Sequence, residues 1–395
     1  MRLFVIKFGK VINTIRRDGF IVGGKRVLDY LETFITSIVS IKAGDILIIT
    51  AGVGDSALYR AHNQAEELQL CGFKVSVTMQ DNPFLAGLEK KFKIFIFHRT
   101  LHTPSIMKLI EKIKQAKKEI IFETDDLVFD AKYVQQTDHY KNMSYFEKKQ
   151  YEKGVGEDIL KDPYVKVCAT STAYIAKILE GYEKKVFIVP NKLSNRWVDI
   201  ADSLLENNFQ EKQNRKKIRI GYFSGTIGHN KDFITISDAL IKILEKYPSV
   251  ELFLAGPLKL ENKFDKFSAR IIRSTYVPRE KHFENIFNCD IILAPLEMGD
   301  PFCEGKSELK FFEAGIVDVP TVAARNQTFS EAIEDGASGF LADNTDEWAE
   351  KLSKLIEDEN LRKSMGKKAK EKALADYTNK NSHNEEYYNY LKSKL

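Results

Sequence analysis

The feature that most constrains this chain is an alternation that runs through it twice, in which short apolar stretches are each followed by a longer amphipathic one. The first round opens at Ile46–Thr50 (ILIIT), passes through the turn AGVGD and enters a helical pattern from Ser56 to Leu70. Further apolar runs follow at FKVSVTM, KIFIFHR, EIIFETDD, VKVCATS and VFIVPN, and a helix is expected from about Pro104 to Lys117. Connections of this length between strands call for a parallel sheet with helices on both faces. A polar stretch from Lys192 to Lys217 reads as a connector with one short helix, and then the alternation restarts at IRIGYFSG. We therefore expect an α/β chain of two tandem doubly wound domains with a cleft between them. The expected boundaries are 1–195, a linker at 196–217, a second domain at 218–377, and a C-terminal helix at 378–395 that packs back toward the first domain.

Composition narrows the class. A chain of 395 residues exceeds one ordinary core. With 43% hydrophobic and 29% charged residues it is globular and not disordered. A net charge of +4 does not mark a nucleic-acid binder, though basic patches leave room for peripheral contact with an acidic membrane face. Cys71, Cys168, Cys289 and Cys303 lie far apart without a C-x-x-C pair, which suits free thiols in a reducing compartment. The start, MRLFVIKFGK, lacks the apolar core of a secretory signal, and no stretch of about 18 apolar residues occurs. The expected location is the cytoplasm, or the inner face of its membrane.

Ligands of doubly wound sheets bind beyond the carboxyl ends of the strands. The most informative such place is DIILAPLEMGDPFCEGKSELKFFEAGIVDVPTVAA, residues 290–324. Leu309, Phe312 and Ile316 form an apolar stripe at helical spacing, and Lys306, Lys310 and Glu313 form a polar one. Ser307 is the expected N-cap of a helix running to Gly315, and a lysine and a hydroxyl at a helix start after a parallel strand make a ready anion site. By spacing alone the stripe reads first as the solvated face of an ordinary amphipathic helix.

The whole phrase resembles the donor-binding segment of retaining glycosyltransferases of family 4 (glycosyl transferases group 1), whose fold is GT-B, two Rossmann-like domains. The phrase is a strand D-I-x-L-A-P-L, then K-S-x-L-K-x-x-E-A, then V-P-T-V-A, and the resemblance extends from about Ile218 to Tyr377. It implies that Lys306 and Ser307 hold the donor diphosphate, with Lys310 on the same stripe, and that Glu313 binds the ribose hydroxyls. The family's usual pair of glutamates has seven residues between them; here Glu304 and Glu313 have eight, so Glu304 and Glu308 both remain candidates to face the sugar. In IRIGYFSGTIGHNKDF, Gly225 permits close backbone approach. Thr226, His229 and Lys231 stand where the family often has an arginine and a lysine; a plain structural turn is the alternative. Tyr276 and Val277 sit where the family reads the base. The glycines at 221, 225 and 228 do not fit G-x-G-x-x-G, so a nicotinamide fingerprint is absent.

Three strand ends mark the first domain. AGVGDSALYR resembles the family's first glycine loop or is an ordinary turn. His98, with Arg99, ends KIFIFHR and is either structural or part of an acceptor wall. Asp125 and Asp126, side by side after an apolar strand, serve either as a base or hydroxyl contact or as a helix cap beside a surface acid. Glu123-Thr124-Asp125 also resembles the metal-binding D-x-D of the other glycosyltransferase fold, but tandem domains argue against that fold, and no cluster has metal-ligand spacing.

The expected function is transfer of a sugar from a nucleoside diphosphate sugar to a carbohydrate or lipid-linked glycan, in surface polysaccharide or glycoconjugate synthesis. The resemblance implies retention. No cofactor, metal or nucleic-acid partner is expected. Lys306, Ser307 and the helix dipole would neutralise the leaving diphosphate, and His98 and Asp125 would meet the acceptor. Two alternatives stay open: an epimerase or phosphorylase on the same fold, and an inactive glycosyltransferase-like scaffold of a polysaccharide-synthesis complex.

Overall fold

The computed structural model describes every residue except 1, 136–139, 141, 142, 144, 146, 147, 150, 151, 153, 214, 226–229 and 276. The chain divides into two units, Met1–Pro190 with Asn384–Leu395, and Asn191–His383. Each is built on one six-stranded parallel sheet.

In the first unit the strands are β1 (Ile46–Thr50), β2 (Val75–Met79), β3 (Ile94–His98), β4 (Glu119–Thr124), β5 (Val167–Thr170) and β6 (Lys185–Ile188). Their order is β2-β1-β3-β4-β5-β6. Every residue of β1 and β3 is buried, as unbroken apolar runs covered on both faces should be. The winding reverses between β1 and β3, which makes their carboxyl ends the switch point. Register puts Thr50 beside His98 and His98 beside Glu123, so polar strand ends line up across three strands.

In the second unit the strands are β7 (Ile218–Phe223), β8 (Val250–Ala255), β9 (Ile271–Ser274), β10 (Ile291–Ala294), β11 (Thr321–Ala324) and β12 (Phe340–Ala342). Their order is β12-β11-β10-β7-β8-β9, with the reversal between β7 and β10. At the end of β8, Gly256 has φ 90°, and a Cβ there would stand 1.9 Å from the Ser224 carbonyl oxygen. Only glycine lets β8 turn this close under the segment that leaves β7.

Several expected elements differ. The connector at 196–217 is instead mostly helix, Asn195–Gln213, and belongs to the second unit. It packs on the Arg279–Phe287 helix, where Trp197 stacks on Phe283 at 5.8 Å. Its weak periodicity hides it, since tertiary packing of one aromatic face outweighs propensity. The opening residues form the helix Arg2–Val39, broken at Gly19. Near the end of the second unit stand two helices, Thr345–Glu357 and Glu359–Asp376, parted at Asp358, whose carboxylate caps the second by accepting from the Leu361 N–H at 2.9 Å. At the C-terminus, Tyr387, Tyr388 and Leu391 enter the same apolar core as Ile46, Ile94 and Ile121.

Candidate functional site

In the second unit the candidate residues lie on the segments that follow β7, β9 and β10. Gly225 follows β7, and among the described residues a Cβ there would meet nothing within 4 Å. Thr226 and His229 lie outside the described residues, as does Tyr276. Lys231 is exposed on the short Asn230–Ile234 helix, and Val277 is half-buried before the Arg279–Phe287 helix.

The helix expected from Ser307 begins at Leu309 and ends at Gly315. Ser307 is therefore not its N-cap. Glu308 holds that position without a side-chain cap bond, and the Ser307 hydroxyl accepts from Asn191 Nδ2 at 2.9 Å. A helix of seven residues adds little dipole, so charge near its start comes from the lysines. Nor is the polar stripe a solvated face. Phe311, Phe312, Ala314, Gly315 and Ile316 are buried, and so are Glu308 and Glu313 at 6% exposure each. Lys310 is half-buried, with its Nζ 5.9 Å from the centre of the Tyr222 ring. Burial, and then Lys306, push the Lys310 ammonium below its ordinary value, while Asp232 and Glu313 oppose them.

Glu313 Oε1 pairs with Arg279, and its Oε2 lies 3.3 Å from His282 Nε2. Arg279 and His282, three apart on one helix face, are functional candidates that the sequence reading missed. The signal that could have found them is in TYVPRE, where an arginine opens a helix just beyond a strand end. Glu304 accepts from the Gly299 N–H at 3.1 Å, within its own turn. Asp232 was missed too. It is 3% exposed and lies among Tyr222, Cys303 and Lys310.

The first unit carries a second polar cluster, at the carboxyl ends of β1, β3 and β4. His98 is 2% exposed, with Nδ1 2.9 Å from Thr50 Oγ1 and Nε2 3.1 Å from Ser56 Oγ. The Ser56 hydroxyl donates to Asp125, at 2.9 Å to Oδ1 and 2.8 Å to Oδ2. Arg99 Nη1 stands 3.4 Å from Asp125 Oδ1. Behind them Arg60 Nε meets Glu123 Oε1 at 2.6 Å, in a pair at most 1% exposed. Arg60 comes from a π-helical turn, Leu58–Asn63, a distortion frequent at functional sites. Arg99 holds φ 48°, an uncommon value for a residue with a side chain, and one that persists where the surroundings impose it.

Electrostatics divide the two acids of this cluster. Burial raises the Asp125 carboxyl, but Arg99, His98 and Arg60 together outweigh it and hold the group well below the ordinary carboxylate range. Burial pushes Glu123 up against the pull of Arg60 and His98. Asp125 and Asp126 do not act as a pair. Asp126 caps the turn Leu127–Phe129 by accepting from the Leu127 N–H at 2.8 Å, so the expected cap and the expected site residue are neighbours with separate tasks. In the E-T-D run Glu123 is matched by Arg60 and Asp125 by Arg99. Ser56 and Arg60 carry no signal of their own in the sequence; only the register of β1, β3 and β4 brings them to Asp125 and Glu123.

Two parallel sheets of this order in one chain define the GT-B class of fold, two Rossmann-like domains. Solved structures bear this out at low identity. HepE from Anabaena, in complex with UDP, superposes with a TM-score of 0.58 at 13% identity, over 88% of this chain and 100% of that one. A glycosyltransferase from Rickettsia africae gives 0.59 at 13% identity over 89% and 98%. Sucrose-phosphate synthase from Thermosynechococcus elongatus gives 0.58 at 11% identity over 85% and 95%. In sequence, residues 205–372 match the family described as glycosyl transferases group 1, a stretch that holds every candidate of the second unit. The capsular polysaccharide biosynthesis glycosyltransferase CapM of Staphylococcus aureus is 24% identical over 219 residues, which is 50% of this chain and 55% of CapM. The chain thus spans about half the length of that curated relative.

Proposed function

We propose that this protein is a glycosyltransferase that moves a sugar from a nucleoside diphosphate sugar to a carbohydrate or lipid-linked glycan, with retention and without a metal, in surface polysaccharide synthesis. The observation that carries the reading is the placement of Lys306 and Lys310 beyond the β7/β10 switch point, inside the stretch that matches the glycosyltransferase family. Departure of a nucleoside diphosphate develops negative charge, and two lysines with the Ser307 hydroxyl are suited to stabilise it. Glu313, held by Arg279 and His282, is the group for the ribose hydroxyls. The match to CapM supports the polysaccharide setting, and the UDP bound to HepE supports a nucleotide donor. Four free cysteines support a reducing, cytoplasmic location, with room for peripheral contact with its membrane.

On the acceptor side, Asp125 is the group that meets a sugar hydroxyl. A carboxylate held this strongly ionised is a poor proton acceptor, so its task is to orient the hydroxyl and not to remove its proton. His98, buried beneath Ser56, acts by fixing that serine.

One observation favours the scaffold alternative: both oxygens of Glu313 are already engaged, and Glu304 is turned into its own loop. A thermal-shift screen in EDTA against UDP, GDP, ADP, dTDP and their sugars tests the proposal. A ligand at a hundredfold over its Kd adds about 2.7 kcal/mol to the unit that binds it, a shift of several degrees. Stabilisation by one nucleotide together with slow hydrolysis of its sugar is the expected outcome. Binding without hydrolysis or transfer marks a scaffold, and no stabilisation by any nucleotide sinks the reading.

A further inference from the structure

The helix Arg2–Val39 belongs to neither cluster. Gly19 interrupts it at φ 79°, and the part after the break carries two apolar stripes side by side. Val27, Tyr30, Phe34 and Ile38 recur at helical spacing and are half-buried. Leu28, Leu31, Ile35 and Val39 repeat that spacing one residue later and are exposed, as is Phe20 beside the break, at 46% to 86%. Apolar side chains exposed singly are ordinary, but four along one line of a helix form a contiguous patch, which marks an interaction surface. The stripe stands on an anchored element. Ser37 is buried, its carbonyl accepts from the Thr78 hydroxyl of β2 at 3.0 Å, and Ser76 Oγ donates to the Lys42 carbonyl at 2.9 Å.

Charge points to what covers the stripe. The first 40 residues hold seven lysines and arginines against three acids, an excess equal to the whole chain's net +4, so everything after them sums to zero. Such segregation of charge marks an electrostatic docking segment. All seven basic residues lie between Arg2 and Arg26, whereas Asp29 and Glu32 are exposed on the same stretch as the stripe. Attraction to an anion therefore belongs to the part before Val27, and the apolar contact to the part after Gly19. A second copy of this chain would bring the same positive charge and be repelled. A layer of anionic headgroups over an apolar interior meets both features at once. Among the described residues no helix is long and apolar enough to cross a membrane, so contact of this kind is along the surface.

We propose that the helix Arg2–Val39 is an interfacial anchor that lies along an anionic lipid surface, its basic part over the headgroups and the Leu28, Leu31, Ile35 and Val39 stripe among the upper acyl chains. The inference deepens the peripheral membrane contact of the proposed function and rests on that part of it; the nucleotide donor does not enter. Binding of this kind grows with the apolar area inserted and with attraction to anionic lipid, so the two parts of the helix act together. An acceptor carried on a lipid is then met at the surface that holds it, which favours a lipid-linked glycan over a soluble one.

The test is flotation of the whole chain with vesicles of about 30% phosphatidylserine in phosphatidylcholine, and with vesicles of phosphatidylcholine alone. Binding to the anionic vesicles should exceed binding to the neutral ones about tenfold or more, and fall by a similar factor between about 0.1 M and 1 M salt. L31E/I35E changes two exposed side chains and should weaken binding to the anionic vesicles about tenfold with the melting temperature unchanged. R16E/R17E should weaken it comparably at the lower salt. Equal binding to both kinds of vesicle overturns the proposal, as does wild-type binding by L31E/I35E. So does a dimer in solution that L31E/I35E dissociates, because a second copy would then cover the stripe. Should L31E/I35E fail to fold, the milder L28Q decides, and wild-type affinity in it contradicts the proposal. Stabilisation by a nucleotide without vesicles reads the donor site separately, so its failure and the failure of membrane binding are different results.

Discussion

At the scale of single residues, the proposed function gives the two clusters different tasks. Lys306 and Lys310 are like charges held together, an arrangement that favours an anionic guest. The Ser56–His98–Asp125–Arg99 group is internally matched and suits neutral hydroxyls. Lys306→Ala should therefore lower kcat by about two orders of magnitude with the correct donor, while the melting temperature stays within about a degree or two. Turnover at the wild-type rate would make Lys306 a bystander. Asp125→Asn should behave otherwise, keeping nucleotide affinity and losing transfer. It also carries a pH signature. The folded-state proton affinity of Asp125 is depressed, so its stabilisation is present above the ordinary carboxylate value of about 3.9 and drains away as pH falls from there toward the folded-state value. Urea midpoints should favour wild type over D125N at neutral pH, by a margin that narrows below about pH 4. A margin constant with pH would mean that Arg99 and His98 do not hold Asp125 ionised.

At the scale of elements, legibility follows burial. Runs such as ILIIT and IFIFH are buried from end to end, so their strands stand out in the sequence. β12 is only Phe340–Ala342, too short to carry a period, and leaves no mark in the pattern. The Lys306–Glu313 stripe is legible as spacing, but spacing cannot say whether it faces water or core, nor that the helix starts two residues after Ser307. The polar partners are the least legible of all. Arg60 meets Glu123, and Asp232 meets Cys303, across separations of 63 and 71 residues, distances that only strand register and loop closure determine. The C-terminal helix Glu385–Lys392 makes a sharp packing prediction. Tyr387 is fully buried, with its ring 5.1 Å from Phe187. Tyr387→Ala should destabilise the first unit by about 3–5 kcal/mol, the usual cost of emptying a large aromatic site. A denaturant midpoint unchanged from wild type would show that the helix is not part of that core.

At the scale of the whole molecule, the chain is two doubly wound units, and its last residues, Asn384–Leu395, return to the unit that Met1–Pro190 began. We propose that the second unit binds a nucleoside diphosphate through the segments that leave β7 and β10. Hydrogen exchange with and without the stabilising nucleotide tests this most directly, because it reports where the ligand acts and does not depend on knowing the acceptor. Slowed exchange is expected in peptides covering 224–233 and 297–313, with no change across β1 to β6 and loss of the effect in Lys306→Ala. Protection confined to peptides of the first unit, or a nucleotide that binds without slowing either segment, would contradict it.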